Sequence, residues 1–328
     1  MRRFSLLTGA AIAALLLFSP TAYADDETIV VTATRTPTPA DSLPTRIEVV
    51  TRADIEALGL TTLAQAVGPE AVQSGGSGEQ TSLFLRGTNS NHTLALLDGI
   101  RLNDASSPAG AYDFGEDMLG ELECVEILRG PASSVYGADA LGGVVNMLPR
   151  RGAASPFEPF SEAATGSFDT KRALAGAAGT TRGGLDYGVS AEAFDTTGFD
   201  QTPARFALHT GDPDGASIRT GAASVRQRFG AYAVDVLVRI RHSTADYDTL
   251  SGGPFFDLRA DDPNLRNEAT QTLWRLGGDA QLGNALVRLS GGQVSSDRAE
   301  RDGGTRQNRG YSHQHQSRRA GRKRPALF

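Results

Sequence analysis

The residues with the clearest capacity for chemistry are acidic and grouped: Gly198-Phe199-Asp200, Asp212-Pro213-Asp214-Gly215, Asp246-Tyr247-Asp248 and Phe256-Asp257. Asp-x-Asp-Gly puts two carboxylates on one side of a tight turn. Hard divalent cations such as Ca²⁺ take six to eight oxygen ligands of this kind. Solvated loop charge is the alternative reading of the same spacing. Catalytic patterns are missing. The chain has neither a Gly-x-x-x-x-Gly-Lys-Ser/Thr phosphate loop nor a His-Glu-x-x-His zinc motif. Its histidines (His92, His209, His242, His313 and His315) form no metal or triad spacing, so an enzyme is not expected.

The elements around these loops change period along the chain. Arg2 and Arg3, the apolar run Leu6 to Phe18, and Ala22-Tyr23-Ala24 form an export signal over residues 1–24. The apolar run is too short to span a bilayer as a helix. Residues 25–46 carry a short β-prone run, Thr28 to Ala33, followed by Pro37, Pro39 and Pro44. Such a run on a proline-rich tether suits addition to another protein's sheet edge.

Residues 47–150 read as a compact α/β unit. Ile47 to Val50 reads as a strand, and Thr51 as the cap of a helix carrying Ile55 and Leu58. Asp98-Gly99 marks a hairpin turn, and Val125 to Leu128 and Val144 to Leu148 read as further strands. From 151 to about 310 the period becomes two. Tyr232, Val234, Val236, Val238 and Ile240 lie on one face, with Ala233, Asp235, Leu237, Arg239 and Arg241 on the other. Seven segments of about ten residues repeat this scheme, as strands of a transmembrane barrel do.

Composition narrows the class further. The 328-residue chain is 39% hydrophobic, with two lysines against thirty arginines and a net charge of −6. Residues 25–297 carry −15 and residues 298–328 carry +7. An anionic body of this kind argues against nucleic-acid binding. Cys124 is the only cysteine, so no intrachain disulfide forms, and it reads as a small core residue.

Five pieces carry a family resemblance: Glu27 to Ala33, Leu85-Arg86-Gly87, Leu97-Asp98-Gly99, Arg129-Gly130-Pro131 and Tyr136 to Asn146. In order and spacing they resemble TonB-dependent outer-membrane receptors. Gly75-Gly76-Ser77-Gly78 and Phe84 to Asn89 look most like the cobalamin (vitamin B12) type. The resemblance implies an α+β plug domain followed by an antiparallel transmembrane β-barrel, of 22 strands in the family. About seven or eight strands are expected here, making the barrel incomplete.

The resemblance also implies roles. Glu27, Thr28, Ile29, Val30, Val31, Thr32 and Ala33 would pair with a periplasmic TonB protein. Gln80, Ser82, Asn89, Ser107 and Pro108 would contact a corrinoid at the plug's outer apex. Asp200, Asp212, Asp214, Tyr247, Asp248 and Asp257 match a calcium-ligand pattern, with Thr210 where the family has an amide. Arg86 and Arg129 are expected to hold the plug through ion pairs. The chain would reside in the outer membrane, in contact with its lipid. Two other readings are a ferric-siderophore receptor of the same family and a plug-only periplasmic interaction module. Residues 311–328, basic and without alternation, read as an out-of-frame tail of a truncated product.

Overall fold

The computed structural model describes residues 30–31, 38–39, 47–103, 110–205, 209–251, 258–260, 264–283, 285–303 and 305–318. The export signal, Glu27 to Ile29, Thr32 and Ala33, Ser107, Pro108, Asp257 and residues 319–328 lie outside the described residues. Two short strands come first, β1 (Val30–Val31) and β2 (Thr38–Pro39), paired antiparallel.

The α/β unit follows. Strand β3 (Ile47–Thr51) leads into α1 (Arg52–Ala57). Thr51 caps α1 in a reciprocal box, in which its hydroxyl accepts from Asp54 N and Asp54 accepts from Thr51 N. Helix α2 (Leu63–Val67) begins the same way, with Thr62 and Gln65. Then come β4 (Ala71–Gln73), β5 (Thr81–Leu83), β6 (Thr93–Leu97), β7 (Ile100–Arg101), β8 (Leu122–Arg129), α3 (Ser133–Tyr136) and β9 (Gly143–Pro149). A five-stranded mixed sheet runs in the order β3-β8-β9-β6-β7. Asp98 and Gly99 make the β6–β7 turn with positive φ at both (46° and 76°), the backbone that Asp and Gly tolerate.

The remaining chain forms one eight-stranded antiparallel sheet: β10 (Glu158–Gly166), β11 (Thr170–Thr180), β12 (Leu185–Phe199), β13 (Asp214–Phe229), β14 (Tyr232–Asp246), β17 (Leu265–Leu282), β18 (Ala285–Asp302) and β19 (Thr305–Arg318). A small hairpin, β15 (Thr249–Ser251) and β16 (Leu258–Ala260), lies within the loop between β14 and β17. Strand β19 pairs with β18 as far as Arg318, past the change in composition at 311.

The large sheet is a partial barrel wrapped around the α/β unit, which is its plug. The alternation of β14 shows how. Tyr232, Val234, Val236, Val238 and Ile240 are exposed on the outer face, while Ala233, Asp235, Leu237, Arg239 and Arg241 are buried on the inner one. Leu237, Leu273 and Val294 of the inner face join the plug's apolar core, beside Leu63, Phe114 and Val145. Inner Phe194 and Ile218 pack on Met118 of the plug. At Gly120 the wall comes so close that a Cβ would sit 2.3 Å from Glu192 Oε2; the Gly120 N–H donates to that oxygen at 3.0 Å.

Candidate functional site

The plug and the wall meet in two chemically different zones. The first lies in the middle of the lumen. The plug segment from Tyr112 to Glu121 brings four acids, and β14 brings Arg239 and Arg241, two residues apart and therefore on one face. Arg239 Nη2 and Arg241 Nη1 both donate to Asp117 Oδ1, at 2.6 and 2.7 Å. The Tyr112 hydroxyl donates to Asp117 Oδ2 at 2.6 Å and accepts from Arg241 Nη1 at 3.0 Å. Arg239 Nε pairs with Glu121 at 2.6 Å, and Arg241 pairs with Glu116. All of these groups are buried.

The electrostatics follow from that burial. Burial raises the Asp117 carboxyl, but the two guanidinium groups outweigh it and hold the group below the usual carboxylate range. Glu121, where burial dominates, is pushed up. Asp113 is pushed up to about 7 by burial and by the charge of Glu116. Its Oδ1 accepts from Thr81 N at 2.9 Å and Gly115 N at 3.0 Å. Sequence reasoning missed this zone. A pair of inward-facing arginines on a strand whose other face is apolar was the available signal.

The second zone is the outer rim. Gln80 sits in the connection between β4 and β5, where its carbonyl accepts from Ser74 N and Oγ, both at 3.0 Å. Its side chain helps line a cavity of about 330 Å³, together with Ser74, Glu79, Tyr247, Asp248, Asn267 and Glu300. The structure thus brings Gln80 of the plug together with Tyr247 and Asp248 of a wall loop. Ser82 is half-buried on β5, and Asn89 is exposed ahead of a 3₁₀ turn; neither lines this cavity. Ser74, Glu79, Asn267 and Glu300 carried no signal in the sequence.

The rim carboxylates are organised by local turns. Asp200 Oδ1 accepts from Thr202 N at 2.7 Å, and Asp200 Oδ2 lies 2.7 Å from His209 Nδ1. The Thr202 hydroxyl donates to Asp248 Oδ2 at 2.5 Å, which ties the 200–213 loop to the 247–264 loop. Asp214 Oδ2 accepts from Gln201 N at 3.2 Å, and Asp214 lies within electrostatic reach of Asp248 and Glu79. Asp212 is half-buried in the intervening loop. Among the described residues, no three of His, Cys, Asp and Glu converge at a spacing that would hold a metal ion. The donor set is of the right chemistry for a hard cation, but the described carboxylates are near one another rather than assembled into a cage.

The remaining expectations fall within the plug. Arg129 is tied to Glu70 at 2.8 Å and also pairs with Glu48. Arg86, at φ 52°, packs its guanidinium beside Gly130. Asp98 of the β6–β7 turn bonds Arg151 at 2.8 Å and reaches Arg275 of the wall at 3.2 Å. Cys124 is partly buried on β8, and burial with Glu126 and Glu123 nearby pushes its thiol up to about 12, an unreactive state.

Comparison with known proteins places this architecture. Residues 39–144 match the TonB-dependent receptor plug domain family. Among solved structures, the chain is similar to the siderophore receptor PiuA of Acinetobacter baumannii, with a TM-score of 0.62 and 16% identity over 83% of this chain and 39% of that one. It is similar to the ferric yersiniabactin uptake receptor FyuA of Yersinia pestis (TM-score 0.62, 17% identity, 80% of this chain and 42% of that one). It is also similar to the ferric-catecholate import receptor Fiu of E. coli K12 (0.62, 14%, 88% and 46%). These likenesses establish a shared fold of plug and barrel strands. The chain spans less than half the length of each of the three receptors.

Proposed function

We propose that this chain, which carries a TonB-dependent receptor plug domain, works in an outer-membrane receptor that binds a corrinoid such as cobalamin and passes it to the periplasm. The observation that carries the ligand class is the rim cavity. Ser74, Gln80, Tyr247 and Asn267 offer neutral hydrogen-bonding groups, and the charged side chains that line the cavity are carboxylates, Glu79, Asp248 and Glu300. A bulky ligand rich in amides finds partners there. A polyanionic ferric chelate meets like charge.

Calcium belongs to this proposal. Asp248 and Glu79 repel the Asp214 carboxylate at the rim, and a divalent cation held by the loop residues Asp200, Asp212, Asp214, Tyr247, Asp248 and Asp257 would relieve that repulsion and draw the loops over the ligand. At the other end, Glu27 to Ala33 would add as a strand to a periplasmic TonB protein, exchanging the pairing that Val30–Val31 makes with Thr38–Pro39. The inner face of the sheet meets the plug, and its apolar outer face meets membrane lipid.

A second reading, a ferric-siderophore receptor, is favoured by the kind of receptor that the three solved structures are. Calorimetry on the refolded chain separates the two. Cyanocobalamin binding that weakens when calcium is chelated supports the corrinoid reading. Binding of a ferric catecholate or hydroxamate with no response to cyanocobalamin overturns it, and equal cyanocobalamin affinity with and without calcium overturns the role of the cation.

A further inference from the structure

The inner face of the wall changes sign as it rises from the middle of the lumen to the rim. Strands β14, β17 and β18 pair in register, so their inward residues form level rows. The lowest joins Arg239 with Leu273 and Val294, and the next joins Arg241 with Gln271 and Ser296. Above them Ser243 stands beside Ala269 and Arg298, and the top row is Ala245, Asn267 and Glu300. Each arginine of the lower rows is directed at a plug acid. Arg239 pairs with Asp117 and Glu121, Arg241 with Asp117 and Glu116, and Arg298 reaches Glu116 at 3.6 Å. The top row holds no arginine.

All three members of that top row line the rim cavity. Ala245 brings no polar group, so the chemistry of the row belongs to Asn267 and Glu300, neighbours across one strand pair. The Asn267 side-chain oxygen is buried and accepts no hydrogen bond from a described residue. A buried acceptor left without a donor is costly. Glu300 joins Glu79 and Asp248, and among the described residues no basic side chain lines the cavity.

We infer that Asn267 and Glu300 are specificity residues of the rim cavity: they accept from the N–H groups of a carboxamide on the ligand and reject a carboxylate in its place. The inference rests on the corrinoid reading and assigns wall-side contacts to that ligand. A primary amide and a carboxylate share a shape but differ in hydrogen bonding. The amide nitrogen carries two donors, enough for both Asn267 and Glu300. A carboxylate offers acceptors only, leaves Asn267 unsatisfied and adds a negative charge beside Glu79, Asp248 and Glu300. Arg298, the wall cation of the row below, faces Glu116 instead. A site whose polar groups need one kind of partner rejects a look-alike strongly, because the wrong group leaves them unpaired or facing like charge.

Calorimetry on the refolded full-length chain tests this, with cyanocobalamin and with its monocarboxylic acids, in each of which one propionamide of the corrin edge is hydrolysed. The expected result is that at least one acid binds about tenfold or more weakly than cyanocobalamin. Glu300→Gln should close that gap to about threefold or less. Asn267→Ala should weaken cyanocobalamin itself about fivefold. Glu268→Gln removes a carboxylate next to Asn267 on the outward face, where it pairs with Arg301 at 2.6 Å. It should leave both affinities within about twofold. Urea unfolding midpoints check that each variant folds. Equal affinity for cyanocobalamin and all of its acids, a gap that survives Glu300→Gln, or the same change in Glu268→Gln overturns the inference while corrinoid binding stands. Unchanged cyanocobalamin affinity in Asn267→Ala overturns the role of Asn267. A folded, unmodified chain that binds no cyanocobalamin overturns the corrinoid reading, and the inference with it.

Discussion

The middle of the lumen and its outer rim are both rich in carboxylates, yet they are built on opposite terms. In the middle, Asp117 faces two guanidinium groups and a phenol, and Glu116 and Glu121 each meet an arginine. Burial there makes each missing partner costly, so one geometry is favoured over all others. At the rim, Asp214 lies within electrostatic reach of Asp248 and Glu79, and turn N–H groups and a threonine hydroxyl hold the aspartates. These groups are buried as well, but their bonds come from uncharged donors and are individually weaker than the ion pairs of the middle. The contrast teaches that the plug is fastened by buried ion pairs at its middle, while the aspartates at the outer end are held by neutral hydrogen bonds.

Removing Asp117 is the most damaging way to break this contrast. Asp117→Ala removes the carboxylate that both buried arginines share, leaving Arg239 with Glu121 and Arg241 with Glu116, and a loss of about 3 kcal/mol is expected. Urea unfolding of the refolded chain, with protease release of the plug as a second readout, checks it. A loss below about 1 kcal/mol would put the fastening elsewhere.

Asp113 sharpens the contrast through pH. Its folded carboxyl, at about 7, keeps a proton that the unfolded group, near 3.8, has lost. Its contribution to stability therefore declines as pH rises from 3.8 through about 7. Asp113→Asn keeps an oxygen for Thr81 N and Gly115 N and removes that decline. Unfolding midpoints between pH 4 and pH 8 should flatten relative to the unmodified chain, and an unchanged slope would refute the assignment. Asp117 has the opposite sign, since its depressed carboxyl contributes stability above 3.8 that is lost as pH falls below it.

Smaller effects belong to the rim and the outer surface. Gln80→Ala should weaken cyanocobalamin binding about fivefold, the worth of one hydrogen bond of about 1 kcal/mol, with the unfolding midpoint unmoved. The Lys171–Asp169 pair is 63% and 62% exposed. Lys171→Gln should change stability by less than about 0.5 kcal/mol, measured in the same urea series as Asp117→Ala. A comparable loss in the two variants would erase the distinction between buried and exposed pairs.

Local signals explain how much of the molecule could be read in advance. The Thr51 cap, the Asp98-Gly99 turn and the alternation of β14 depend on residues within a few positions of one another, so their chemistry is written in short segments. The apolar row from Tyr232 to Ile240 marked an outward face before any partner was known. The rim was legible in part. Gln80, Tyr247 and Asp248 were expected in the plug and in a loop, as two separate sets, and the fold makes them neighbours in one cavity. Ser82 and Asn89 share the segment of Gln80 but not the cavity, because a strand and a 3₁₀ turn carry them away from it.

The amino-acid sequence alone determined a plug-like α/β unit followed by strands of period two, since capping, turn and alternation chemistry act over short separations. Tertiary structure alone decided which charges meet. Arg239 and Asp117 stand 122 residues apart, and an ion pair across that separation exists only when the sheet closes around the plug. Periodicity could mark Arg239 as inward-facing, but the anion it would find there depends on how the two units are seated, and long-range packing sets that seat.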